Sequence, residues 1–394
     1  MFFCGAAPHT LSPIIHLPTY DMSEPIYLTA GGVLALVLGA LIVPKILLIS
    51  YKKRLFDRPD ARKIHTQPIP RLGGLSFFPV MLITVCFMLG LRTQMGGGGA
   101  EAAPEFLFFT VGGMLLYLVG VADDLIGVGY RYKFLAQITA ALLMIYPGEW
   151  LNTLGGLLGV QSLPPAAGIL ITLFVVVFIT NAINLIDGVD GLASGLSCIA
   201  LFVLGLMCAT GNNTDVLYAL LAFSALGVVV PFWFFNVFGN ARRGHKLFMG
   251  DTGSLVLGYT LSLLVIHLSR TGFVPASGNP ASAGGMWLAF STLIVPLFDV
   301  VRVVIHRLRN RKNPFLPDKN HFHHKLLRAG LSPRRVMVTI LFIALFFIVF
   351  NGLLLRHVNA NLLLLADIVL WTLLQLAINH SISHRRSTSR HPQR

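Results

Sequence analysis

The stretch from Asn181 to Gly191, N-A-I-N-L-I-D-G-V-D-G, is unusually polar for a segment that directly follows a long apolar run. It contains two asparagines, Asn181 and Asn184, and two aspartates, Asp187 and Asp190, each pair three positions apart. If the segment is helical, the members of each pair share one face. Carboxylates and carboxamides are costly at the end of a membrane-spanning segment, and such groups usually bind an ion or a substrate.

Five aspartates lie at the predicted ends of apolar segments, although the whole chain has only 16 acidic residues. They are Asp123, Asp124, Asp187, Asp190 and Asp251. No Lys or Arg stands beside any of them at helical spacing, and converging carboxylates raise one another's pKa, so we expect them to need a cation. Helix capping is the alternative role for a single aspartate. Hard oxygen ligands without cysteine favour Mg²⁺, with Mn²⁺ as the alternative.

Two further motifs are suited to binding phosphate. Residues 248–254 read F-M-G-D-T-G-S, in which the glycines allow a close backbone approach and a helix start at Ser254 is expected to be open to an anion. That serine is alternatively a simple N-cap. The second motif places His321, His323 and His324 within four residues, after a run of Arg and Lys. Zinc binding is the alternative for these histidines, but no Cys or acidic residue stands beside them at metal-ligand spacing, which favours phosphate oxygens.

The composition is that of a polytopic helical membrane protein. Of 394 residues, 55% are hydrophobic and only 12% are charged, about half the charged fraction of a typical soluble domain. Eleven apolar segments are predicted to be membrane helices, some of them tilted or partly buried. They are 26–50, 72–91, 105–121, 134–147, 166–183, 193–210, 215–237, 247–268, 284–303, 336–355 and 361–379.

Lys and Arg concentrate in alternate loops. This placement indicates that the net charge of +14 reflects membrane topology and, as a second cause, an anionic substrate, so that a nucleic-acid partner is not needed to explain it. The positive-inside rule places the N-terminus outside and the C-terminus in the cytoplasm, with the aspartates and the three histidines on the cytoplasmic face. The chain divides into an N-terminal extension 1–24, in which Met22 is an alternative start, a polytopic domain 25–380, and a basic tail 381–394 that we expect to be disordered. His267 and His357 are predicted to be interfacial, near the outer surface.

Carboxylates for a divalent cation, together with Arg and His for phosphates on one membrane face, describe phosphoryl transfer from a cytosolic nucleotide to a lipid acceptor. The alternative from another class is a transporter of an anionic metabolite, which would show broken helices and an inverted repeat. No such repeat is evident. For the one clear intramembrane acid, Asp367, we predict a hydrogen-bond partner on a neighbouring helix in place of a substrate.

These motifs resemble those of the polyprenyl-phosphate N-acetylhexosamine-1-phosphate transferases over residues 26–379. They are R-K-I-H-T-Q-P-I-P-R-L-G-G (62–74), A-D-D (122–124), N-L-I-D-G-V-D-G-L-A (184–193), F-M-G-D-T-G-S (248–254) and D-K-N-H-F-H-H-K-L-L-R-A-G (318–330). The P-I-P-R-L-G-G and H-F-H-H-K-L-L-R-A-G patterns favour the branch that adds GlcNAc-1-phosphate to undecaprenyl phosphate over the phospho-MurNAc-pentapeptide transferases. Other N-acetylhexosamines stay open, since epimer choice can rest on one or two hydrogen bonds.

The resemblance implies an all-α fold with about eleven transmembrane helices in the bacterial cytoplasmic membrane and an active site of cytoplasmic loops. It implies UDP-N-acetylhexosamine and undecaprenyl phosphate as substrates, Mg²⁺ as cofactor, and release of UMP. Membrane lipids are the expected surroundings, nucleic acid is not an expected partner, and both a monomer and a homodimer fit.

By motif position, the resemblance also implies roles for individual residues. Asp251 is implied as the principal metal ligand, and Asp123, with Asp124 beside it, as the base or the contact to the acceptor phosphate. Asn184 and Asp187 are implied as further catalytic residues. The residues implied for uridine are Asp190, Asn236 and Phe248, and those implied for the diphosphate and sugar are Arg307, His321, His323 and His324.

Overall fold

The computed structural model describes residues 24–56, 69–95, 104–210, 215–271, 283–312, 320–355 and 357–389. The described secondary structure is all helical, with no strand among these residues, which confirms the predicted fold class. Its α-helices are α1 (Glu24–Lys52), α2 (Phe77–Gln94), α3 (Pro104–Ile126), α4 (Tyr130–Ile145), α5 (Pro165–Ile186), α6 (Leu192–Thr210), α7 (Val216–Phe238), α8 (Gly250–Thr271), α9 (Ala283–Ser291), α10 (Ile294–Arg309), α11 (Phe322–Arg328), α12 (Pro333–Leu354) and α13 (Ala360–Ser389). The extension up to residue 23, with Met22, and the motif residues 62–68 and 318–319 lie outside the described ranges.

Nine of the described helices are long and apolar enough to cross a membrane, and α9 with α10 makes a tenth if this pair, bent by 72°, counts as one span. The predicted count of eleven differs because α4 has only 16 residues, or about 24 Å of helix. This short helix nevertheless links the two ends of α8. Lys133 near its start contacts Asp251, and Glu149 just beyond its end contacts His267. The predicted orientation of the termini remains a prediction.

The bundle is built around α8, which is buried from Thr252 to Ser269. A helix that is apolar on all sides must be surrounded by other helices, and α3 and α5 pack directly against this one. Glycines permit the close approach. A Cβ at Gly120 of α3 would lie 2.5 Å from the Thr252 Cα, and a Cβ at Gly258 would lie 2.6 Å from the Thr180 Cα of α5. This packing brings the ends of α3 and α5 to the start of α8.

A second polar cluster lies at the other end of α8, where Glu149 is fully buried. One of its carboxylate oxygens accepts hydrogen bonds from Tyr218 Oη and Arg270 Nη2, both at 2.7 Å, and lies 3.2 Å from His267 Nδ1. The other nitrogen of His267 is 2.7 Å from Asp215 Oδ2. His267 is therefore buried among partners from two other segments of the chain, whereas His357 is exposed. The prediction that both histidines lie at the membrane interface stays a prediction.

The last two helices, α12 and α13, bear on the predictions for the basic tail and for Asp367. The final helix continues to Ser389, so the described part of the basic tail is helical where disorder was expected. Asp367 is buried in α13 and accepts a hydrogen bond from Asn351 Nδ2 of α12 at 3.2 Å. This contact is the neighbouring-helix partner that we predicted for the intramembrane acid.

Candidate active site

Three of the predicted aspartates meet where the end of α3 reaches the start of α8. Asp123, Asp124 and Asp251 each offer a carboxylate oxygen, and these three oxygens lie within 4.8 Å of one another. Among the described residues this is the one group of three or more acidic, His or Cys side chains with metal-site spacing. The three histidines form no comparable group there, so the geometry favours an oxygen-ligand site over a zinc site.

Asp124 caps the first turn of α8. Its Oδ1 accepts the backbone N–H of Asp251 at 2.8 Å, and its Oδ2 accepts the backbone N–H and the hydroxyl of Thr252 at 3.0 and 2.6 Å. Gly250 makes this contact sterically feasible, because a Cβ there would lie 2.4 Å from Asp124 Oδ2. We expected the start of this helix to be open to an anion. That expectation was wrong for the backbone N–H groups of Asp251 and Thr252, because the carboxylate of Asp124 accepts both.

Lys133 is the cation that sequence reasoning missed. Its ammonium group lies 2.6 Å from Asp251 Oδ2 and 3.2 Å from Asp123 Oδ2, so it joins these two carboxylates. The signal was present in the basic Y-R-Y-K of residues 130–133, but the partner Asp251 is 118 positions away in sequence. The converging carboxylates do need a cation, and within the protein Lys133 supplies it.

The donor set fits Mg²⁺. Asp251 and Asp123 present acceptor-only oxygens beside each other, and this ion typically takes one or two carboxylates and completes its shell with water and phosphate oxygens. Asp124 has both oxygens engaged by the start of α8, which leaves the other two aspartates as the ligands of choice. The contact of both with an ammonium group shows that the position favours positive charge.

The end of α5 brings the predicted asparagine and aspartate to the same place. Asn184 Nδ2 donates to Ser254 Oγ at 2.8 Å, and its amide is also within hydrogen-bonding reach of Asp251. Asp187 follows the last residue of α5 with an accessible side chain. Desolvation by the surrounding protein raises the pKa of Asp187 to about 7, and the negative charges of Asp251 and Asp190 add to this effect. A carboxyl group of this kind exchanges protons near neutral pH.

Residues of α7 stabilise the loop between α5 and α6, residues 187–191. Asn236 accepts the Gly191 N–H at 2.5 Å and donates to the Leu247 carbonyl at 2.8 Å, and Trp233 Nε1 donates to the Gly191 carbonyl at 3.1 Å. Gly191 has φ +73° and a Cβ there would clash with Val237, so glycine is required. Because Asn236 is buried and both ends of its amide bond to backbone, the structure gives it a positioning role.

The two other positions implied for uridine are Asp190, in this loop, and Phe248, shortly before α8. Asp190 pairs with Lys246, whose Nζ is 2.5 Å from Asp190 Oδ2. Phe248 is half-buried, and its backbone bonds to Pro70 at 2.8 Å and to Gly73 at 2.9 Å. The described end of the motif at residues 62–74 is thereby fixed against the segment that leads into α8.

The histidine motif approaches the same loop. A Cβ at Gly188 would lie 2.3 Å from His323 Nε2, so the two segments touch. His323 is almost fully buried, and neither of its ring nitrogens has a hydrogen-bond partner among the described residues. Burial lowers the pKa of His323 to about 3, with the neighbouring His324 adding to the effect, so this ring is neutral at pH 7. It can contact a ligand only as a neutral donor or acceptor.

The remaining predicted residues are His321, His324 and Arg307. His321 is buried and pairs with Asp299, while the rings of His323 and His324 are 4.2 Å apart between centroids. Arg307 is buried near the end of α10. The structure therefore brings together residues from α3, α4, α5, α8 and α11 at one end of the bundle. Such a site can bind a divalent cation together with an anionic ligand.

The chain is similar to known proteins over most of its length. The family model described as glycosyl transferase family 4 matches residues 106–269. The undecaprenyl-phosphate alpha-N-acetylglucosaminyl 1-phosphate transferase of Yersinia pestis is 31% identical over 294 residues, 74% of each chain. The probable undecaprenyl-phosphate N-acetylglucosaminyl 1-phosphate transferase of Bacillus subtilis (strain 168) is 32% identical over 332 residues, 82% of this chain and 83% of the relative. The Escherichia coli (strain K12) protein with the same name as that of Yersinia is 30% identical over 294 residues, 74% of each chain.

Proposed function

Because this chain belongs to glycosyl transferase family 4, we propose that it transfers GlcNAc-1-phosphate from UDP-GlcNAc to undecaprenyl phosphate and releases UMP. The names of its relatives support the acceptor and the sugar. The observation that carries the proposal is the meeting of Asp123 and Asp251 with Lys133, beside a loop that contacts the buried His323. Oxygen ligands for a divalent cation and donors for phosphate are what a phosphoryl transfer between two anionic substrates requires.

The reaction needs little covalent chemistry from the protein. An oxygen of the lipid phosphate forms a bond to the β-phosphorus of the donor, and the bond from that phosphorus to the bridging oxygen breaks, so that UMP leaves. The lipid phosphate is largely ionised near pH 7, so no base is required to remove a proton from it. The protein's contribution is then to hold two anions in line and to balance the charge that moves to the leaving group.

Five residues of the site contribute to binding and charge balance. Mg²⁺, held by Asp251 and Asp123, would neutralise charge on the diphosphate. Lys133 supplies a positive charge beside both carboxylates, and it can turn to a phosphate oxygen when the cation takes its place. Asn184 orients Asp251 through its amide, and Asp124 fixes the start of α8, on which Asp251 stands.

We also propose on which side of the membrane the reaction takes place. The chain is a multi-pass membrane protein, and its site lies at one end of the helix bundle. We place that end at the cytoplasmic face of a bacterial cytoplasmic membrane, where a nucleotide sugar is available, and the excess of Lys and Arg in the loops of that side supports this orientation.

The test is turnover by purified protein with undecaprenyl phosphate, Mg²⁺ and a panel of UDP-sugars, following both UMP and the lipid product. Product from UDP-GlcNAc alone is the expected result. Product from another UDP-N-acetylhexosamine alone, or from UDP-MurNAc-pentapeptide, would keep the chemistry and replace the sugar. Absence of product from every donor, in folded protein, would overturn the proposal.

A further inference from the structure

Asp299 is a buried aspartate of α10, and both of its carboxylate oxygens accept hydrogen bonds from the segment at the start of α11. Its Oδ1 accepts the backbone N–H of Phe322 at 2.9 Å and a guanidinium N–H of Arg302 at 2.7 Å. Its Oδ2 lies 2.9 Å from Nδ1 of His321. Arg302 also donates to the carbonyl of Asn320. Asp299 and Arg302 together therefore hold the three residues that lead into α11.

The carboxylate also determines which nitrogen of His321 carries hydrogen. An ionised carboxylate only accepts hydrogen bonds, so Nδ1 of His321 must carry hydrogen and donate to Asp299. The pairing leaves Nε2 as the ring atom that is available to another partner. In metal and catalytic sites, carboxylate and histidine pairs fix the tautomer and the ring orientation in this way.

The fixed ring is next to the histidine that contacts the catalytic loop. The rings of His321 and His323 are nearly parallel, 6° apart, with 6.0 Å between their centroids. His323 in turn touches Gly188 and keeps two buried ring nitrogens without a partner among the described residues. A buried polar side chain without a partner is costly, and a ligand at this position would satisfy it. The anchored ring of His321 therefore lies beside a histidine whose ring nitrogens a ligand would satisfy.

We propose that Asp299 is a positioning residue for the donor site: by accepting from Nδ1 it lets His321 carry a second hydrogen on Nε2 when the diphosphate of the nucleotide sugar binds, and Nε2 donates that hydrogen to the diphosphate. This inference rests on the proposed function, because it takes the diphosphate as the ligand of the histidine motif. It gives Asp299 a role through another residue, since the carboxylate itself is fully occupied by three donors from the protein.

The variant Asp299→Asn separates anchoring of the segment from control of the charge on His321. Its side-chain oxygen can still accept from Phe322 and Arg302, whereas its amide must donate to Nδ1 of His321, so that the ring can carry only one hydrogen and has no positive charge to present to the diphosphate. We expect kcat/KM for UDP-GlcNAc to fall about 10- to 100-fold, mainly through KM, while KM for undecaprenyl phosphate is unchanged. In a His321→Ala background, adding Asp299→Asn should lower kcat/KM for UDP-GlcNAc by less than about twofold, because the ring that Asp299 positions is absent.

The matched control is Asp367→Asn, which alters another buried aspartate of the bundle, one that bonds to Asn351 away from the site. We expect its KM for UDP-GlcNAc to be unchanged. Equal losses for both substrates with Asp299→Asn, or the same loss with and without His321, would indicate a purely structural role and overturn the inference.

A second variant leaves Asp299 intact and so avoids the risk of misfolding. In His321→Asn the amide nitrogen takes the place of Nδ1 and keeps the contact with Asp299, but nothing replaces Nε2. We expect wild-type thermal stability and weakened binding of UDP-GlcNAc. Full activity of this variant would show that His321 only anchors the loop, and the inference would fall.

Binding of UDP-GlcNAc by calorimetry separates this inference from the proposed function. If the wild-type protein binds the nucleotide sugar but yields no product, the proposed transfer fails. The inference would still stand if Asp299→Asn weakens that binding, and it would fail if binding is unaffected. A wild-type protein that does not bind UDP-GlcNAc would overturn both.

Discussion

At the scale of single residues, three neighbouring aspartates have different tasks because their partners differ. Asp124 accepts three hydrogen bonds from the start of α8, whereas Asp123 and Asp251 share the ammonium group of Lys133. Carboxylates that look equivalent in sequence therefore divide into one that builds the site and two that are able to hold a cation.

This division predicts opposite behaviour of two asparagine variants. Asp124→Asn replaces an acceptor at a helix start by an amide and should reduce the stability of the fold by about 1–2 kcal/mol, with a lower thermal midpoint. Asp251→Asn should leave the midpoint near that of the wild type and lower kcat by more than about 100-fold, because it removes a proposed ligand. Thermal unfolding in detergent and UMP release measure the two effects. Full turnover by Asp251→Asn would refute the metal assignment.

Lys133 competes with the proposed cation for the same two carboxylates. In Lys133→Met we expect half-saturation at a lower Mg²⁺ concentration, because the site loses a positive charge that the ion must displace. The same variant should have a lower kcat, because a charge that can reach the phosphates is missing. Titration of UMP release with Mg²⁺ gives both values, and Arg131→Met, at a fully exposed neighbouring position, is the control. An increased Mg²⁺ requirement would contradict this competition.

At the scale of elements, α8 joins the site to the opposite end of the bundle and depends on glycine for its close packing. Gly258 lies against Thr180 of α5, where a Cβ would be 2.6 Å from backbone, while a Cβ at Gly90 of α2 would meet nothing within 4 Å. Helical glycines are thus not equivalent, although sequence composition treats them alike.

Gly258→Ala and Gly90→Ala should therefore have effects of opposite sign on stability. Over-packing at the contact between α8 and α5 is expected to cost about 1–3 kcal/mol. At Gly90 the gain in helix propensity, up to about 1 kcal/mol, has no steric penalty to oppose it. Thermal unfolding of both variants by size-exclusion chromatography checks the prediction, and equal midpoints would show that the two helices adjust without cost.

The polar cluster around Glu149 fastens the loop after α4 to α7 and α8. Burial by itself would raise the pKa of Glu149, but hydrogen bonds and charge from His267 and Arg270 hold it below its ordinary value. A lowered pKa in the folded state means that the ionised form stabilises the fold above the unfolded pKa of about 4.3. This stabilisation is lost as the pH falls through the folded pKa.

Glu149→Gln should lower the thermal midpoint at pH 7, because removing one partner of a buried ion pair typically costs about 3–5 kcal/mol. The variant should also lose less stability than the wild type on acidification below about pH 4.3. The control is Glu24→Gln, whose partner Arg92 is 3.8 Å away and which is half exposed, so that its effect should be negligible. A variant with the wild-type acid dependence would exclude Glu149 as the responsible group.

At the scale of the whole molecule, the two ends of α8 must face opposite sides of the membrane. The loop at Arg243 adjoins the site, and the loop at Ser162 adjoins the Glu149 end, and both side chains are exposed. In a background without the four native cysteines, Arg243→Cys should react with a membrane-impermeant maleimide only after the cytoplasmic membrane is opened. Ser162→Cys should react in intact spheroplasts. The reverse pattern would invert the predicted orientation.

The sequence by itself determined the class of the protein and which of its aspartates lie at the ends of apolar segments. Apolar segments of sufficient length can only be helices in a membrane, and the spacing of Asp123, Asp187 and Asp251 at segment ends put them on one face. Residue type and local spacing carry this information, because each depends on a few neighbouring positions.

Tertiary structure alone decided which partner each side chain has. Lys133 reaches Asp251 across 118 positions, Asp124 caps a helix 127 positions later, and His267 is buried by residues 52 and 118 positions away. These contacts exist because glycines let α3 and α5 pack against α8, and a distant partner leaves no local pattern. For the same reason the length of α4 does not show that this helix and the loop after it connect the two ends of α8, which only the contacts of Lys133 and Glu149 decide.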